Sequence, residues 1–250
     1  MIIQWHLPAY TFYTEAEFDR FSPIGVMSLI AAEIVNIDNL ASEFRRLGMY
    51  ALTVVCGLFI HGFVVLPVLL LILGRRNPLK FLGGMSQALF VGFGTCSSNA
   101  TMPVTLQCIE DNIKIDRRIA RFLIPLGIAI NMNGTALYEA VAAIYVGQCL
   151  GAKFQFGDLM MVSISALFAG MGTAAVPQGG LVTLVMVLMA VGLPPKYIIL
   201  IVPIDWLLGR CRVIVNVFDD SVACAIVHRL NEKHLRKITT QSDDGKIEHL

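Results

Sequence analysis

Charged residues are scarce in this sequence. Asp, Glu, Lys and Arg make up 15% of its 250 residues and hydrophobic residues make up 56%, whereas a soluble domain usually carries about 25% charged residues. This scarcity excludes an ordinary soluble domain, and the formal net charge of +1 gives no basic stripe for nucleic acid. Residues 49–73, MYALTVVCGLFIHGFVVLPVLLLIL, can cross a bilayer core of ~30 Å. The sequence therefore predicts an all-α integral membrane protein.

The sequence also lacks the paired cysteine spacing of a metal site. Its six cysteines are scattered, mostly among apolar neighbours, and we interpret them as small buried side chains: Cys56, Cys96, Cys108, Cys149, Cys211 and Cys224. No nucleophile and base can be paired along the chain, so we do not expect an enzyme. The first residues lack a basic start, an apolar core and a small-residue cleavage site, so we expect no signal peptide.

Two apolar segments carry small polar tips. In residues 81–107 the tip GTCSSNATMP separates two apolar arms, and in residues 159–191 the tip is GTAAVPQGG. None of the arms is long enough to span a bilayer comfortably. Non-helical backbone survives at membrane depth only where protein or a water-filled cavity satisfies it. The pattern therefore predicts two re-entrant helical hairpins.

A third polar interruption, INMNGTALYEA at residues 130–140, lies between them. The NGT triplet is formally a glycosylation acceptor at Asn133, and the alternative is a broken membrane helix. Membrane depth favours the broken helix, and the same argument excludes a sugar on Asn99. Carbonyls freed by unwinding are oxygen ligands for a small cation, while freed N–H groups at a helix start favour an anion.

The last apolar segment, residues 198–227, carries several ionisable residues, each of which costs about 2.5 to 3.5 kcal/mol to insert. On a helix, Asn216 lies four residues beyond Arg212, and Asp220 four beyond Asn216, so the three share one face. This face suits an anionic ligand at Arg212 and a metal cation at Asp220. The alternative is that these charges, with Asp205, pair with one another and only hold helices together.

Glu139 lies one helical turn beyond Thr135. A carboxyl group there is a candidate proton carrier across the membrane. The alternative is a glutamate that faces an aqueous vestibule.

Four stretches resemble the C-terminal part of the excitatory amino acid transporters, the glutamate/aspartate branch of the sodium:dicarboxylate symporters. They are GTCSSNATMPVTLQCIEDN, RRIARFLIPLGIAINMNGTALYEAVAAIYVGQ, AVPQGGLVTLVMVLMAVGLP and IDWLLGRCRVIVNVFDDSVACAIV. The resemblance covers most of residues 21–230. It implies a homotrimer in which each subunit has a scaffold and a transport domain that moves like an elevator. It also implies that this chain holds only part of that elevator-type fold. We accordingly divide the chain into a divergent segment, a scaffold-like helix, a transport-domain-like core and a polar tail: 1–20, 21–48, 49–230 and 231–250.

The resemblance implies sodium-coupled transport of L-glutamate or L-aspartate across the plasma membrane. Residues 21–35 resemble the family's fifth membrane helix, so four upstream helices are expected to be absent. The chain is then expected to be a fragment or truncated form. The alternative is a non-transporting relative that acts in subunit interaction or as an anion leak.

The resemblance also assigns roles to individual residues. Substrate contacts fall on the two hairpin tips, the broken helix and the last helix: Cys96, Ser97, Ser98, Thr135, Val176, Pro177, Gln178, Gly179, Gly180, Arg212 and Asn216. One sodium site is implied at Gly127, Asn131, Asn216 and Asp220, and a second, made of carbonyls, at Ala129, Gly170, Met171 and Thr173. Glu139 matches the residue of relatives that couple to protons and potassium.

Four residues depart from the family pattern. The family motif reads Asn-Met-Asp-Gly-Thr, so Asn133 keeps an oxygen ligand at a metal site but loses a charge worth ~4 kcal/mol near a cation. Gly209 replaces an aspartate, and Val213 a threonine, that bind the substrate's amino group. Asp219 replaces a glycine beside Asp220, where we expect it to compete for the ion.

Overall fold

The computed structural model describes residues 40–247, so the predicted segments 1–20 and 21–35 lie outside the described residues. Within 40–247 every regular element is a helix, and the predicted all-α class is confirmed. The α-helices are α1 Leu40–Ile60, α2 Leu66–Leu69, α3 Pro78–Thr95, α4 Ser98–Gln107, α5 Arg117–Ile130, α6 Asn133–Cys149, α7 Phe156–Met171, α8 Gly179–Ala190 and α9 Val202–Ile247. A 3₁₀-helix, Pro195–Leu200, precedes α9.

The predicted apolar run at 49–73 lies in one continuous rod. The π-helical turn His61–Val65 joins α1 to α2, and a second π-helical turn, Leu70–Gly74, continues α2 to the end of the rod. Pro67 lacks an N–H group and disfavours regular α-helix before it, which fits a π-turn at this point. Among residues 40–247, the segment Phe44–Gly74 is the one helix long and apolar enough to cross a membrane. The rod ends at Arg75, whose φ of 49° breaks the helix.

Helices α3 and α4 form the first helical hairpin. Asn77 begins α3 by accepting hydrogen bonds from the Leu79 and Lys80 amides at 3.0 and 3.3 Å, and Pro78 occupies the first turn. Cys96 ends α3 in the left-handed region. Ser97 then caps α4, so two residues form the whole tip.

The predicted interruption at 130–140 is a break between α5 and α6. The non-helical residues are Asn131, with φ −104° and ψ 65°, and Met132, with φ −102° and ψ 58°. The break is shorter than the sequence indicates, because Asn133 already begins α6.

The second helical hairpin consists of α7 and α8, joined by residues 172–178. The central helix α9 follows and continues to Ile247, through most of the predicted polar tail. It packs against α1, α3, α4, α5 and α6.

The core consists of two apolar clusters that share α9. One joins the first hairpin and α5 to α9, around Met85, Ile124 and Phe218. The other joins α1, α6 and the second hairpin to α9, around Tyr138 and Leu184. The two hairpin tips contact each other through Ser97 and Ala175.

An ion pair fixes the base of the first hairpin to α5. Arg121 binds Glu110 in a bidentate manner, with Nε–Oε1 at 2.8 Å and Nη2–Oε2 at 3.2 Å. Arg117 Nε adds a contact at 3.2 Å. The hydrogen bond from Arg121 lowers the pKa of Glu110 below its ordinary value.

Candidate functional site

The tips of both hairpins and the break between α5 and α6 surround a small cavity against α9. It measures about 20 Å³, room for about one water molecule. The cavity brings together eight of the predicted substrate residues: Cys96, Ser98, Thr135, Val176, Gln178, Gly180, Arg212 and Asn216. Its wall also includes Met132, Thr173, Ala174, Ala175, Gly209 and Val213.

Three predicted substrate residues do not line the cavity: Ser97, Pro177 and Gly179. Ser97 instead ties the two tips together. Its Oγ donates to the Ala175 carbonyl at 2.7 Å and accepts from the Ala100 amide at 3.2 Å. Gly179 packs against the Ala174 carbonyl, where a Cβ atom would clash.

Each tip holds a non-glycine residue in the left-handed region. Cys96 has φ 53° and Gln178 has φ 62°. This conformation costs an L-residue about 1–2 kcal/mol. Such strain persists where the surrounding structure imposes it, and it concentrates at binding sites and switch regions.

Arg212 places a cation at the cavity. Its guanidinium lies 4.1 Å from the centre of the Tyr138 ring, and Nη2 lies 3.5 Å from Asp205 Oδ1. Nη1 is buried without a hydrogen-bond partner among the described residues, next to Gly180, whose missing side chain leaves room for it. The predicted pairing with Asp205 is therefore present, but it engages only one of the two terminal nitrogens.

Asn216 holds the start of α6 against α9. Its Oδ1 accepts from the Gly134 amide at 2.8 Å, and its Nδ2 donates to Thr135 Oγ1 at 3.1 Å. Any side chain at Gly134 would meet Asn216, with a Cβ atom 2.8 Å from Oδ1. The broken helix is thus positioned by a side chain 81 residues away from Thr135.

Three residues of the first predicted sodium site lie together. Asn131 Nδ2 donates to Asp220 Oδ1 at 2.9 Å, and the carboxylate packs against Gly127. The fourth, Asn216, lies one turn away on α9. These groups are carboxylate, amide and backbone oxygens, the donors that hard cations prefer.

Two of the departures from the family pattern contact each other. Asn133 Nδ2 donates to the Asp219 carboxylate and to Asn131 Oδ1, the latter at 2.9 Å. His61 Nε2 lies 3.7 Å from Asp219 Oδ2. Position 133 lacks the carboxylate of the family motif, but Asp219 therefore places a carboxylate within hydrogen-bond distance of it.

The residues of the second predicted sodium site lie on α5 and at the end of α7. Gly170 permits close packing of α7 on α6, since a Cβ atom there would lie 3.1 Å from Ala136 Cβ. Ala129 and Met171 are exposed, and the Thr173 hydroxyl bonds the Ala169 carbonyl at 3.0 Å. In residues 40–247, no three His, Cys, Asp or Glu side chains are placed to hold a metal ion.

Glu139 is fully buried beside two threonines of the second hairpin. Its Oε1 accepts from Thr183 Oγ1 and, at 3.5 Å, from Thr173 Oγ1, and the two hydroxyls lie 2.8 Å apart. Its Oε2 has no hydrogen-bond partner in the described part of the chain. Glu139 therefore faces the interior of the second hairpin and not an open vestibule.

Sequence reasoning missed Tyr138, Thr183 and Ala175. Tyr138 lies three residues beyond Thr135, so helical spacing alone points it toward the same face. Thr183 and Ala175 carry no such signal, because their partners, Glu139 and Ser97, are far away in sequence.

Comparison with known proteins identifies the family of the chain. Residues 18–230 match the profile of the Sodium:dicarboxylate symporter family. The chain is 51% identical over 217 residues to the Caenorhabditis elegans protein named "Putative sodium-dependent excitatory amino acid transporter glt-4", which covers 87% of this chain and 44% of the worm protein. It is 45% identical over 215 residues to excitatory amino acid transporter 4 of Mus musculus, covering 86% and 38% of the two chains.

The human relative, excitatory amino acid transporter 1 of Homo sapiens, is 43% identical over 228 residues, which are 91% of this chain and 42% of the human protein. The chain thus spans about two-fifths of the length of the relatives it matches. Since the family profile matches most of its residues, the chain is a multi-pass membrane protein and belongs to the sodium:dicarboxylate symporter family.

Proposed function

We propose that this chain serves sodium-coupled transport of acidic amino acids, L-glutamate or L-aspartate, across the plasma membrane. The observation that carries the proposal is Arg212, a buried cation with a free nitrogen at a cavity between two hairpin tips. The names of its relatives, which specify excitatory amino acids, support the same substrate class.

The residues around the cavity support the following assignment of substrate contacts. Arg212 binds the side-chain carboxylate of the substrate, and Thr135 and the tip at 96–98 contact the rest of it. The second tip, residues 176–180, acts as the gate. A cavity of about 20 Å³ is too small for an amino acid, so the tip has to move for a substrate to enter.

The transport domain moves across the membrane relative to a fixed scaffold, as in an elevator-type transporter. Residues 49–230 form the transport domain, and residues 21–48 belong to the scaffold of a homotrimer. The short second arm of the second hairpin supports a re-entrant arrangement, since the 12 residues of α8 extend only about 18 Å of a ~30 Å core.

Ions bind next to the substrate. The first sodium ion takes Gly127, Asn131, Asn216 and Asp220, with Asn133 beside it, and the second takes the carbonyls of Ala129, Gly170, Met171 and Thr173. Glu139 carries a proton in exchange for potassium, which its complete burial and its unpartnered Oε2 support.

The test is uptake of labelled L-aspartate by proteoliposomes. Residues 18–230 replace the matching stretch of the worm relative, so that the chain works within a full-length transporter. We expect uptake in sodium chloride and none in choline chloride, and we expect Arg212→Gln to abolish it. A folded chimera without uptake, even after Gly209→Asp and Val213→Thr, would contradict the proposal.

The second candidate is that the chain no longer transports and acts instead in subunit interaction or as an anion leak. It is favoured by Gly209 and Val213, which offer the cavity no polar side chain. In the same assay it gives no sodium-dependent uptake, while the chimera still conducts anions or assembles with its partners.

A further inference from the structure

Arginines and lysines collect at the end of the molecule where the long rod stops. The segment long enough to cross a membrane ends at Gly74, which places the residues after it at the boundary of the bilayer. Three segments lie at this end of the molecule, 75–80, 110–121 and 228–232. Together they carry eight arginines and lysines against four aspartates and glutamates. This end therefore has an excess of positive charge.

Tertiary contacts bring the three segments together. Arg76 Nη1 donates a hydrogen bond to the Ile113 carbonyl at 2.7 Å, which fixes the end of the rod to the connection between α4 and α5. Asn112 Nδ2 donates to the Gly84 carbonyl at 2.9 Å, so the same connection packs on α3. The last π-helical turn of the rod also packs on α9. The charged residues therefore belong to one surface, which we call the basic end.

Three cations of the basic end have no carboxylate partner. Most of its carboxylates are paired: Glu110 with Arg117 and Arg121, Asp116 with Arg118, and Glu232 with Arg229. Arg75, Lys80 and Lys114 are exposed and form no salt bridge with any residue that the structure describes. Asp111, which is exposed and also unpaired among the described residues, is the one carboxylate left to offset these three charges.

Two of the three cations occupy a backbone conformation that does not suit a side chain. Arg75 has φ 49° and Lys114 has φ 61°, in the left-handed region where glycine is favoured. An arginine and a lysine at these points are therefore unfavourable for the fold itself. Unfavourable backbone conformations concentrate at functional sites, which supports a function for both charges.

Apolar side chains are exposed beside these cations. Ile72 and Leu73, 63% and 47% exposed, directly precede the end of the rod at Arg75, and Leu79, 80% exposed, directly precedes Lys80. A ligand that matches this surface combines an anionic group with hydrocarbon. An acidic phospholipid at the bilayer boundary has both parts, whereas a free phosphate ion would leave the apolar side chains uncovered.

We propose that Arg75, Lys80 and Lys114 bind the headgroup of an anionic phospholipid, whose acyl chains cover the apolar residues at the end of the rod. The site is separate from the cavity between the hairpin tips, and its existence does not depend on transport. Basic residues next to a membrane helix attract acidic lipids, and the attraction falls off within a Debye length, about 10 Å at 0.1 M salt. Binding should therefore weaken as the salt concentration rises.

The test is a titration of the purified chain, in micelles of a neutral detergent, with fluorescent phosphatidylserine. Phosphatidylcholine with the same label is the reference, because its headgroup has no net charge. We expect phosphatidylserine to bind about tenfold more tightly or better at about 0.1 M sodium chloride, and to lose most of this preference at about 1 M, where the Debye length is about 3 Å. Equal affinities for the two lipids at the lower salt concentration would overturn the proposal.

Substitution of the three cations locates the site. The combined variant Arg75→Gln, Lys80→Gln and Lys114→Gln should remove the preference for phosphatidylserine, since each basic residue contributes about fivefold. The matched control removes three exposed cations outside the basic end, with the same change in net charge: Arg45→Gln, Lys153→Gln and Lys196→Gln. It should keep the preference. A preference that survives in the first variant, or that both variants lose equally, would overturn the assignment to the basic end.

A glycine variant separates lipid binding from folding. Arg75→Gly with Lys114→Gly removes two of the charges but suits the positive φ angles, so its melting temperature should hold or rise while the lipid preference falls by about tenfold or more. A melting temperature that falls together with the lipid preference would show that the two charges serve the fold and would overturn the proposal.

A soluble headgroup separates a lipid site from a phosphate site. Glycerophosphoserine carries the same charged groups as phosphatidylserine but no acyl chains. At a concentration equal to that of the labelled lipid, it should leave the lipid bound, because it cannot cover the apolar side chains around Leu79. Displacement by glycerophosphoserine at this concentration would overturn the assignment to a lipid.

Discussion

At the scale of single residues, the pair formed by Asn133 and Asp219 determines the charge of the proposed sodium site. Considered separately, Asn133 removes a carboxylate that the family motif implies and Asp219 adds one beside Asp220. Their hydrogen bond joins the two changes into one. The number of carboxylates around Asn131 and Asp220 is therefore the same as in the implied pattern, with one of them moved from α6 to α9.

We predict that Asp219 sustains sodium dependence in place of an aspartate at position 133. Asp219→Gly should raise the sodium concentration for half-maximal aspartate binding by tenfold or more, since a nearby unit charge is worth ~4 kcal/mol. Adding Asn133→Asp to that variant should restore the original value. The measurement is a sodium titration of binding for both single variants and the double variant, analysed as a double-mutant cycle.

Two outcomes would contradict this relocation. If sodium dependence survives Asp219→Gly unchanged, the Asp219 carboxylate has no part in ion binding. If the double variant binds sodium no better than Asp219→Gly, the two positions are not equivalent. Asn133→Asp alone serves as a control, because it places two carboxylates in contact and should destabilise the fold.

Helical spacing explains which site residues were predictable. Arg212, Asn216 and Asp220 recur every four residues within one apolar segment, so their common face follows from the sequence. The partners of Glu139 did not follow, because Thr183 lies 44 residues away and reaches Glu139 only through the packing of α8 on α6. The contact of Asn133 with Asp219 spans 86 residues and was missed for the same reason.

At the scale of elements, the two hairpin tips form one unit through Ala175. Its carbonyl accepts from Ser97 Oγ at 2.7 Å and from the Asn99 amide at 3.4 Å. The second tip is otherwise irregular from residue 172 to 178. In the proposed gating, the first tip is therefore the fixed side against which the second tip closes.

We predict that Ser97→Ala weakens substrate retention. It removes the bond to Ala175 and the cap of α4, and a lost cap costs about 0.5–2 kcal/mol. Aspartate should dissociate several-fold faster in a stopped binding assay, with a small loss of thermal stability. Ser97→Thr keeps both bonds and is the matched control, so an equal effect of the two variants would show that the hydroxyl is not the cause.

The ion pair at the base of the first hairpin predicts an acid sensitivity. The pKa of Glu110 is lowered in the folded chain, so its contribution to stability is present above its unfolded pKa of about 4.3 and is lost as pH falls through the lower pKa of the folded chain. As the pH is lowered from 7 to well below about 4.3, the melting temperature should fall more for the native chain than for Glu110→Gln. An equal fall in melting temperature for the native chain and Glu110→Gln would contradict this role of the ion pair. Asp111→Asn, at an exposed neighbouring position, is the control.

Element boundaries were predictable where local chemistry sets them. Asn77 and Pro78 indicate the start of α3, and the small polar residues at 94–103 indicate the first tip. The length of the break at 131–132 was not predictable. It is limited by the hydrogen bond of Asn216 to Gly134, which lets α6 begin early and comes from a distant helix.

At the scale of the whole molecule, α9 belongs to both apolar clusters and also carries Arg212, Asn216 and Asp220. Each cluster contributes one hairpin, and the oxygens of the proposed first sodium site come from α5, the break and α9. An ion bound there would hold α5, from the first cluster, against the helix that both clusters share. Ion binding should therefore stabilise the whole molecule and not only one loop.

We predict that sodium raises the melting temperature of the chain in detergent. A ligand that binds only the folded state adds about 2.7 kcal/mol at 100 times its dissociation constant, because unfolding has to release it. The measurement is thermal unfolding in sodium chloride against choline chloride at equal ionic strength. Asp220→Asn removes the carboxylate that Asn131 bonds and should abolish the difference, whereas Asp111→Asn makes the same chemical change outside the site and should preserve it. An equal stabilisation by choline, or a sodium effect that survives in Asp220→Asn, would mean that the oxygens around Asp220 do not bind the ion and that α9 joins the two clusters by apolar packing alone.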